Sequence, residues 1–212
     1  MPENDFKNLK KIIAPAGVET ESNYIKLGDK FVKIFFAFSY PRYLSSGWFD
    51  QMINLPNLFD ISIFVSPVDT GLALRNLRKK AAQIESQLSD QQEKGEVRDP
   101  MRETALQDVE ALRDSLQQAQ EKMFNIGLYV AIYADTMDEL ARLESQIVSM
   151  MEAKLVYIKP ALFQQLDGLL SIMPLGEDKL SVTQPMDSGP ISSFFPFVSE
   201  DLTSDEGILY GI

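Results

Sequence analysis

Paired carboxylates are the side chains of this chain with the most obvious capacity for chemistry. Acid–base catalysis needs two carboxyl groups with separated pKa values, usually facing one cleft. Acids adjacent along the chain, in a first helical turn or an acidic loop, do not fit that requirement. Asp138 and Glu139 belong to a capping box, where they compensate the dipole of a helix. We therefore predict no catalytic role for the three pairs, which are Asp138/Glu139, Glu200/Asp201 and Asp205/Glu206.

Two residue types are missing altogether, because the chain has no cysteine and no histidine. This excludes thiol nucleophiles, disulfides, zinc sites built from Cys and His, haem ligation by His and imidazole-based triads. No glycine is directly followed by lysine and no Gly-x-Gly-x-x-Gly run occurs, so the phosphate-binding loops are absent as well. We expect no catalytic, cofactor-binding or metal-binding residues in this chain and no ATP hydrolysis by it alone.

The net charge of −11 opposes contact with a phosphate backbone, so we expect no direct binding of nucleic acid. Basic residues nevertheless cluster at Arg75, Arg78, Lys79 and Lys80. This cluster is typical of a solvated helix face, and the alternative is contact with an acidic partner or with lipid headgroups. We keep Arg75, Arg78 and Lys79 as candidate partner contacts.

Aromatic residues are concentrated between residues 35 and 49. A sheet core with a helix packed on it explains most of them. Tyr40, Tyr43 and Trp48 are also candidate partner contacts, since such residues dominate interface hot spots when they remain partly exposed.

The order of elements predicts an α+β fold. Val32, Ile34, Phe36 and Phe38 alternate along one strand, and similar apolar runs predict strands near residues 59–65, 124–133 and 155–158. Helices fall between the first two strands and between the last two. This order predicts a ferredoxin-like split β-α-β sandwich. We expect a flexible leader over residues 1–20, this domain over 21–172, and an extended arm over 173–212. No apolar run is long enough to span a membrane.

A long antiparallel helical hairpin is predicted as an insertion between the two halves, over residues 71–123. Leu74, Leu77, Ala81, Ile84 and Leu88 form a narrow apolar stripe on the first helix, and the second helix carries a similar one. Each helix would reach about 35 Å. A charge in the stripe, such as Leu112→Asp, is expected to separate the two helices while the sheet stays folded.

Several short runs, in this order, resemble the N-terminal domain of conjugation and type IV secretion ATPases, the TraC-like, CagE/TrbE family. The runs are residues 34–41 (IFFAFSYP), 47–49 (GWF), 55–56 (LP), 60–67 (DISIFVSP), 195–197 (FPF) and 207–211 (GILYG). The resemblance implies that a RecA-like motor, with its ATP and Mg²⁺ sites, would follow Ile212. It also implies that Phe194, Phe195 and Phe197 are candidate motor-docking residues.

The resemblance implies a role in docking and assembly and no catalytic role for this chain. Such a domain would dock the motor against inner-membrane secretion-channel proteins and help to arrange a homo-hexamer, at the cytoplasmic face of the inner membrane. The alternative is a free-standing coiled-coil hairpin adaptor or chaperone-like protein, which would be favoured if the reading frame ended at Ile212. A small carboxylate-based enzyme is a third hypothesis and would need a deep pocket with two converging acids.

Overall fold

A computed structural model describes residues 17–41, 43–95, 97 and 99–194. Helices and strands mix along this part of the chain, and the sheet is antiparallel. In chain order the elements are β1 (Val18–Thr20), β2 (Ile25–Leu27), β3 (Lys30–Ser39), α1 (Asp50–Ile53), β4 (Phe59–Pro67), α2 (Thr70–Glu93), α3 (Pro100–Gln117), β5 (Met123–Ala134), α4 (Met137–Glu152), β6 (Tyr157–Pro160), α5 (Gln165–Ile172), β7 (Gln184–Asp187), α6 (Ser188–Ile191) and a 3-10 turn (Ser192–Phe194).

Strand β5 occupies the centre of the sheet. One of its edges pairs with β4 along the full length of β4, from Phe59 opposite Ile132 to Pro67 opposite Phe124. Its other edge pairs with β3 and, nearer its start, with β7. The far edge of β3 pairs with β2 and with β6, and β1 pairs with β2. The main order is therefore β4–β5–β3–β6, and both central strands have the near-continuous apolar sequence of strands covered on both faces.

Both faces of the sheet are covered. On one face, four residues of α4 and the turn around Trp48 pack against Phe35 and against every second residue of β5 from Ile126 to Ala134. These α4 residues recur at helical spacing; they are Leu140, Leu143, Ile147 and Met151. On the other face, Leu169 of α5 and Leu180 pack against Ile34 and Tyr129. Helix α5 was not predicted, and without it the second apolar face of β3 would be exposed to water.

A side chain completes the sheet edge at Ile34. Strand β2 pairs with β3 only as far as Val32, and β6 pairs with it only from Phe35 onward. In the gap, the side-chain Oε1 of Gln165 accepts a hydrogen bond from the Ile34 N–H at 2.8 Å, and the Gln165 amide Nε2 lies 3.4 Å from the Ile34 carbonyl oxygen. Gln165 is fully buried. Its amide therefore acts in place of a strand backbone.

Replacing Gln165 with leucine is expected to lower the free energy of unfolding by about 1–3 kcal/mol, because the buried Ile34 N–H would lose its acceptor. Urea denaturation followed by circular dichroism measures this. The matched control is Gln164→Leu, since Gln164 is exposed and adjacent. Equal stabilities of the two variants would mean that water or another group replaces the amide.

The ends of the described chain join the sheet. Part of the segment predicted as a leader forms β1, which pairs with β2 from Val18 to Thr20. Part of the segment predicted as an extended arm forms β7, which pairs with residues 123–126 of β5. Phe194, at the end of the described residues, is buried at 4% exposed. The predicted elements within residues 1–16 and 195–212 lie outside the described residues.

Helices α2 and α3 form an antiparallel hairpin between β4 and β5. Each begins at an aspartate cap: the Asp69 side chain accepts from the Leu72 N–H, and the Asp99 side chain accepts from the Met101 N–H. The buried residues of the hairpin are Ala73, Ala81, Val109 and Leu116. Ala81, Val109 and Leu116 belong to the apolar stripes expected from the spacing, whereas Ala73 was not predicted and Met101, expected in the second stripe, is 81% exposed.

Aspartate at Val109, which is 7% exposed, is expected to separate α2 from α3 and to leave the sheet folded. A buried unpaired carboxylate costs several kcal/mol, and opening the hairpin exposes less apolar surface than unfolding the two-faced core. Hydrogen exchange read by mass spectrometry should show faster exchange in α2 and α3 and unchanged protection in β5. Ala111→Asp, on the exposed side of α3, is the control. Loss of protection in β5 would show that the hairpin belongs to the main core.

Candidate functional site

A cleft of about 600 Å³ lies between the hairpin and the body. The halves of α2 and α3 nearest the sheet form one wall, and the end of β3 and strand β7 form the other. The body wall includes Phe38, Tyr40, Pro41, Tyr43, Met186 and Pro190, and the hairpin wall includes Leu77, Lys80, Val109, Leu112 and Ser115. The cleft therefore depends on how the hairpin lies against the body.

The mouth of the cleft combines apolar and polar groups. Tyr43 is 74% exposed there, and Lys80 is exposed on the opposite wall. Three carboxylates also line the cleft: Asp108, Glu121 and Asp187. Each of them is engaged, since Glu121 accepts from the Ser188 hydroxyl and the Gly189 N–H, and the other two make contacts of their own.

An aromatic cluster lies behind the body wall of the cleft and consists of Tyr40, Trp48, Phe49 and Phe194. The ring of Phe194 meets the edges of Tyr40 and Trp48, at centroid distances of 5.7 and 5.2 Å. Trp48 stacks on Phe49 at 3.7 Å. Edge-to-face contacts of this kind add to the stabilisation from apolar burial. The cluster fixes the end of the described chain against the turn that follows β3.

Two polar atoms in this cluster lack a partner. The Tyr40 hydroxyl and the Trp48 indole nitrogen are buried, and neither has a hydrogen-bond partner among the described residues. Burial raises the pKa of Tyr40. The hydroxyl is thus a neutral hydrogen-bond donor at physiological pH. Tyr40 also lines the cleft.

The structure brings only some of the candidate residues together. Tyr40 and Tyr43 both line the cleft. Trp48 is 4% exposed and lies in the core, so it is not on the surface of this conformation. Phe194 is likewise buried, and it packs on this chain's own core. Phe195 and Phe197 lie outside the described residues.

The basic cluster is divided by the turn of α2. Lys80 lines the cleft, whereas Arg75, Arg78 and Lys79 are exposed and do not line it. Residues 75, 78 and 79 share one side of a helix because they are three and four positions apart. They form a basic stripe on the side of α2 away from the cleft.

The predicted capping box is confirmed. The Thr136 hydroxyl accepts from the Glu139 N–H at 3.2 Å, and the Glu139 carboxylate accepts from the Asp135 N–H at 2.9 Å. The Thr136 hydroxyl thus satisfies a first-turn N–H of α4, and the reciprocal bond of Glu139 goes to Asp135, the residue before the cap. The acids at positions 200, 201, 205 and 206 lie outside the described residues. Among the described residues there is no group of three or more acids that could hold a metal ion.

Sequence reasoning missed most of the cleft. Leu77 and Leu112 were predicted as hairpin seam residues, but they also reach the cleft wall, and Met186 had no predicted role. Leu77 and Leu112 belong to the predicted apolar stripes, so the sequence marked them as apolar contacts without indicating which surface they meet. No such signal exists for Met186, because its position depends on the pairing of β7 with β5.

Comparisons of the chain with protein-family models and with curated proteins gave no match. No helix of the described residues has the length and apolar character needed to span a membrane.

Proposed function

We propose that this chain is the non-catalytic docking and assembly domain of a type IV secretion, or conjugative transfer, ATPase. It contacts inner-membrane channel components and neighbouring subunits, and the motor follows Ile212. One observation supports this most strongly. Of the motifs of the resemblance, those within the described residues lie in β3, in the turn around Trp48 and in β4, and side chains from all three contribute to one apolar core. Phe194, which directly precedes the closing Phe-Pro-Phe motif, packs against that same turn.

We also assign the sheet to the ferredoxin-like class. The order β6–β3–β5–β4, with antiparallel neighbours, is the order that two split β-α-β units produce. In this assignment β1, β2 and β7 extend the edges, and the α2–α3 hairpin occupies the connection between the two units. Helix α1 is shorter than the helix such a unit usually contains, spanning only Asp50–Ile53.

The cleft between hairpin and body is the proposed contact with a channel component. It presents Tyr43 at the mouth, leucines on the hairpin wall and Tyr40 on the body wall. An exposed aromatic beside apolar and hydrogen-bonding groups is the composition of an interface hot spot. No lining residue needs to perform chemistry for this role.

Aspartate at Tyr43 is expected to weaken this contact by about 2 kcal/mol, or roughly thirtyfold, because it removes an aromatic anchor and adds a charge. The measurement is plasmid transfer frequency in cells whose full-length ATPase carries the substitution, with ATPase levels checked by immunoblot. Phe163→Asp, at an 86% exposed position outside the cleft, is the control. Equal transfer by both variants would contradict a role for the cleft.

Two further measurements separate the docking domain from other proteins. The purified chain is expected to show no ATP hydrolysis, whereas the same gene extended past Ile212 is expected to hydrolyse ATP. Hydrolysis by the short chain would overturn the assignment. A stop codon directly after Ile212 would instead favour a free-standing hairpin adaptor.

A further inference from the structure

A second concave surface lies on the hairpin itself, between α2 and α3 and further from the sheet than the cleft. It has a volume of about 470 Å³ and shares no lining residue with the cleft. Each helix contributes four residues at positions i, i+3, i+4 and i+7, so the two rows face each other along about two turns. The rows are Glu85, Leu88, Ser89 and Gln92 on α2, and Glu103, Leu106, Gln107 and Glu110 on α3.

The groove is apolar at its base and acidic at its rim. Leu88 and Leu106 are only half-buried there, which is unusual for the seam of a closed helical pair. Glu85, Glu103 and Glu110 line the groove and no basic residue does. Glu103 makes a contact of its own, so the acidic character depends mainly on Glu85 and Glu110.

Two arginines of α3, Arg102 and Arg113, form ion pairs with aspartates that do not line the groove. Arg102 lies 3.4 Å from Asp99, and Arg113 lies 3.4 Å from Asp114. The rim therefore favours a partner that brings its own positive charge. The two leucines favour a partner with an apolar face, and the length of the rows suits a helix of two or three turns lying along the pair.

The chain contains a segment of this chemistry. Phe6, Leu9 and Ile13 recur at the spacing of one face of an amphipathic helix, and Lys7, Lys10 and Lys11 stand between them. In a chain with a net charge of −11, this is a short segment with three positive charges and one apolar side.

The groove of the same molecule is out of reach for this segment. Strand β1 pairs through β2 with the start of β3, which lies beside Ala134 at the end of β5. The hairpin joins the sheet at the other end of β5, which is 12 residues or about 40 Å away. The four chain steps from Ile13 to Gly17 span at most about 14 Å. An occupant from this sequence must come from a second copy.

We propose that residues 6–13 of one copy bind, as a basic amphipathic helix, in the acidic groove between α2 and α3 of a second copy. The resulting contact is head-to-tail, so it can link successive subunits of a ring. The groove and the charge pattern support this contact, and neither depends on the secretion assignment.

Charge exchange tests the pairing in the full-length chain by sedimentation velocity in 50 mM and 500 mM NaCl. The wild-type chain is expected to self-associate, and more strongly at low salt. Glu85→Lys with Glu110→Lys should weaken association roughly tenfold, and Lys7→Glu with Lys10→Glu should do the same. All four changes together should restore it. Glu21→Lys with Glu152→Lys, at exposed positions off the hairpin, controls for net charge.

Cross-linking tests the geometry, and the absence of native cysteine leaves a clean background. A copy carrying Leu9→Cys is mixed with a copy carrying Leu106→Cys under mild oxidation. A disulfide-linked heterodimer is expected, whereas Ser86→Cys, which does not line the groove, should give little. A wild-type chain that stays monomeric at 200 µM in low salt would overturn the proposal. So would failure of the fourfold exchange to restore association, or equal cross-linking at positions 106 and 86.

Discussion

Replacing Phe194 with alanine is expected to lower the free energy of unfolding by about 3–5 kcal/mol, the usual cost of removing a buried phenyl ring. Phe194 is 4% exposed and contacts the rings of Tyr40, Trp48 and Phe49. Its loss would leave a cavity between β3 and the turn around Trp48. Urea denaturation followed by circular dichroism measures the change.

Trp48 reports the same event locally, because it is the only tryptophan of the chain. In the folded Phe194→Ala protein, the emission of Trp48 is expected to shift to the red as water reaches the indole. Phe163→Ala is the matched control, since Phe163 is 86% exposed, and its effect on stability should be within about 0.5 kcal/mol. Equal stabilities of the two variants, with unchanged Trp48 emission, would show that Phe194 does not pack on the cluster in solution.

Replacing Glu144 with alanine is expected to cost about 3–5 kcal/mol, because it leaves a buried lysine without its counter-charge. Lys33 lies on β3 beneath α4, where its side chain is 6% exposed, and its Nζ is 2.5 Å from the Glu144 carboxylate. The control uses a similar pair on the surface. Lys30 and Asp135 are also 2.5 Å apart, but their side chains are 48% and 67% exposed. Asp135→Ala should therefore have a much smaller effect, because solvent screens an exposed ion pair.

The double change Lys33→Met with Glu144→Leu tests the reason for this cost. Apolar residues of similar volume avoid the desolvation of both charges, so the double variant is expected to be about as stable as the wild type. Denaturant midpoints of the three variants give the comparison. If Glu144→Ala cost no more than Asp135→Ala, the Lys33 ammonium would have to reach water in solution.

Local patterns predicted the elements whose structure depends on neighbours in sequence. The apolar runs of β3, β4 and β5 were predicted as strands, and the apolar stripes of α2 and α3 were predicted as a hairpin. The capping box at Thr136 and Glu139 was predicted to the residue. In each case the decisive hydrogen bonds or contacts join residues a few positions apart, or repeat at a fixed period. The hairpin, and with it the acidic groove, is largely determined in this way.

The tertiary structure decided the rest, and the reason is the distance along the chain between the groups that meet. Gln165 completes the sheet at Ile34, which is 131 positions away. No periodic pattern in the sequence predicts such a contact. The cleft exists because β7 returns to the start of β5 while the hairpin lies across from it. Trp48 was a candidate partner contact because of its residue type, but it is buried, since Phe194 packs against it. Local sequence patterns were enough for β3, β4, β5, the hairpin and α4, because their periodicity and caps are local. Packing decided the rest, including α5, β7 and which side chains water and a partner can reach.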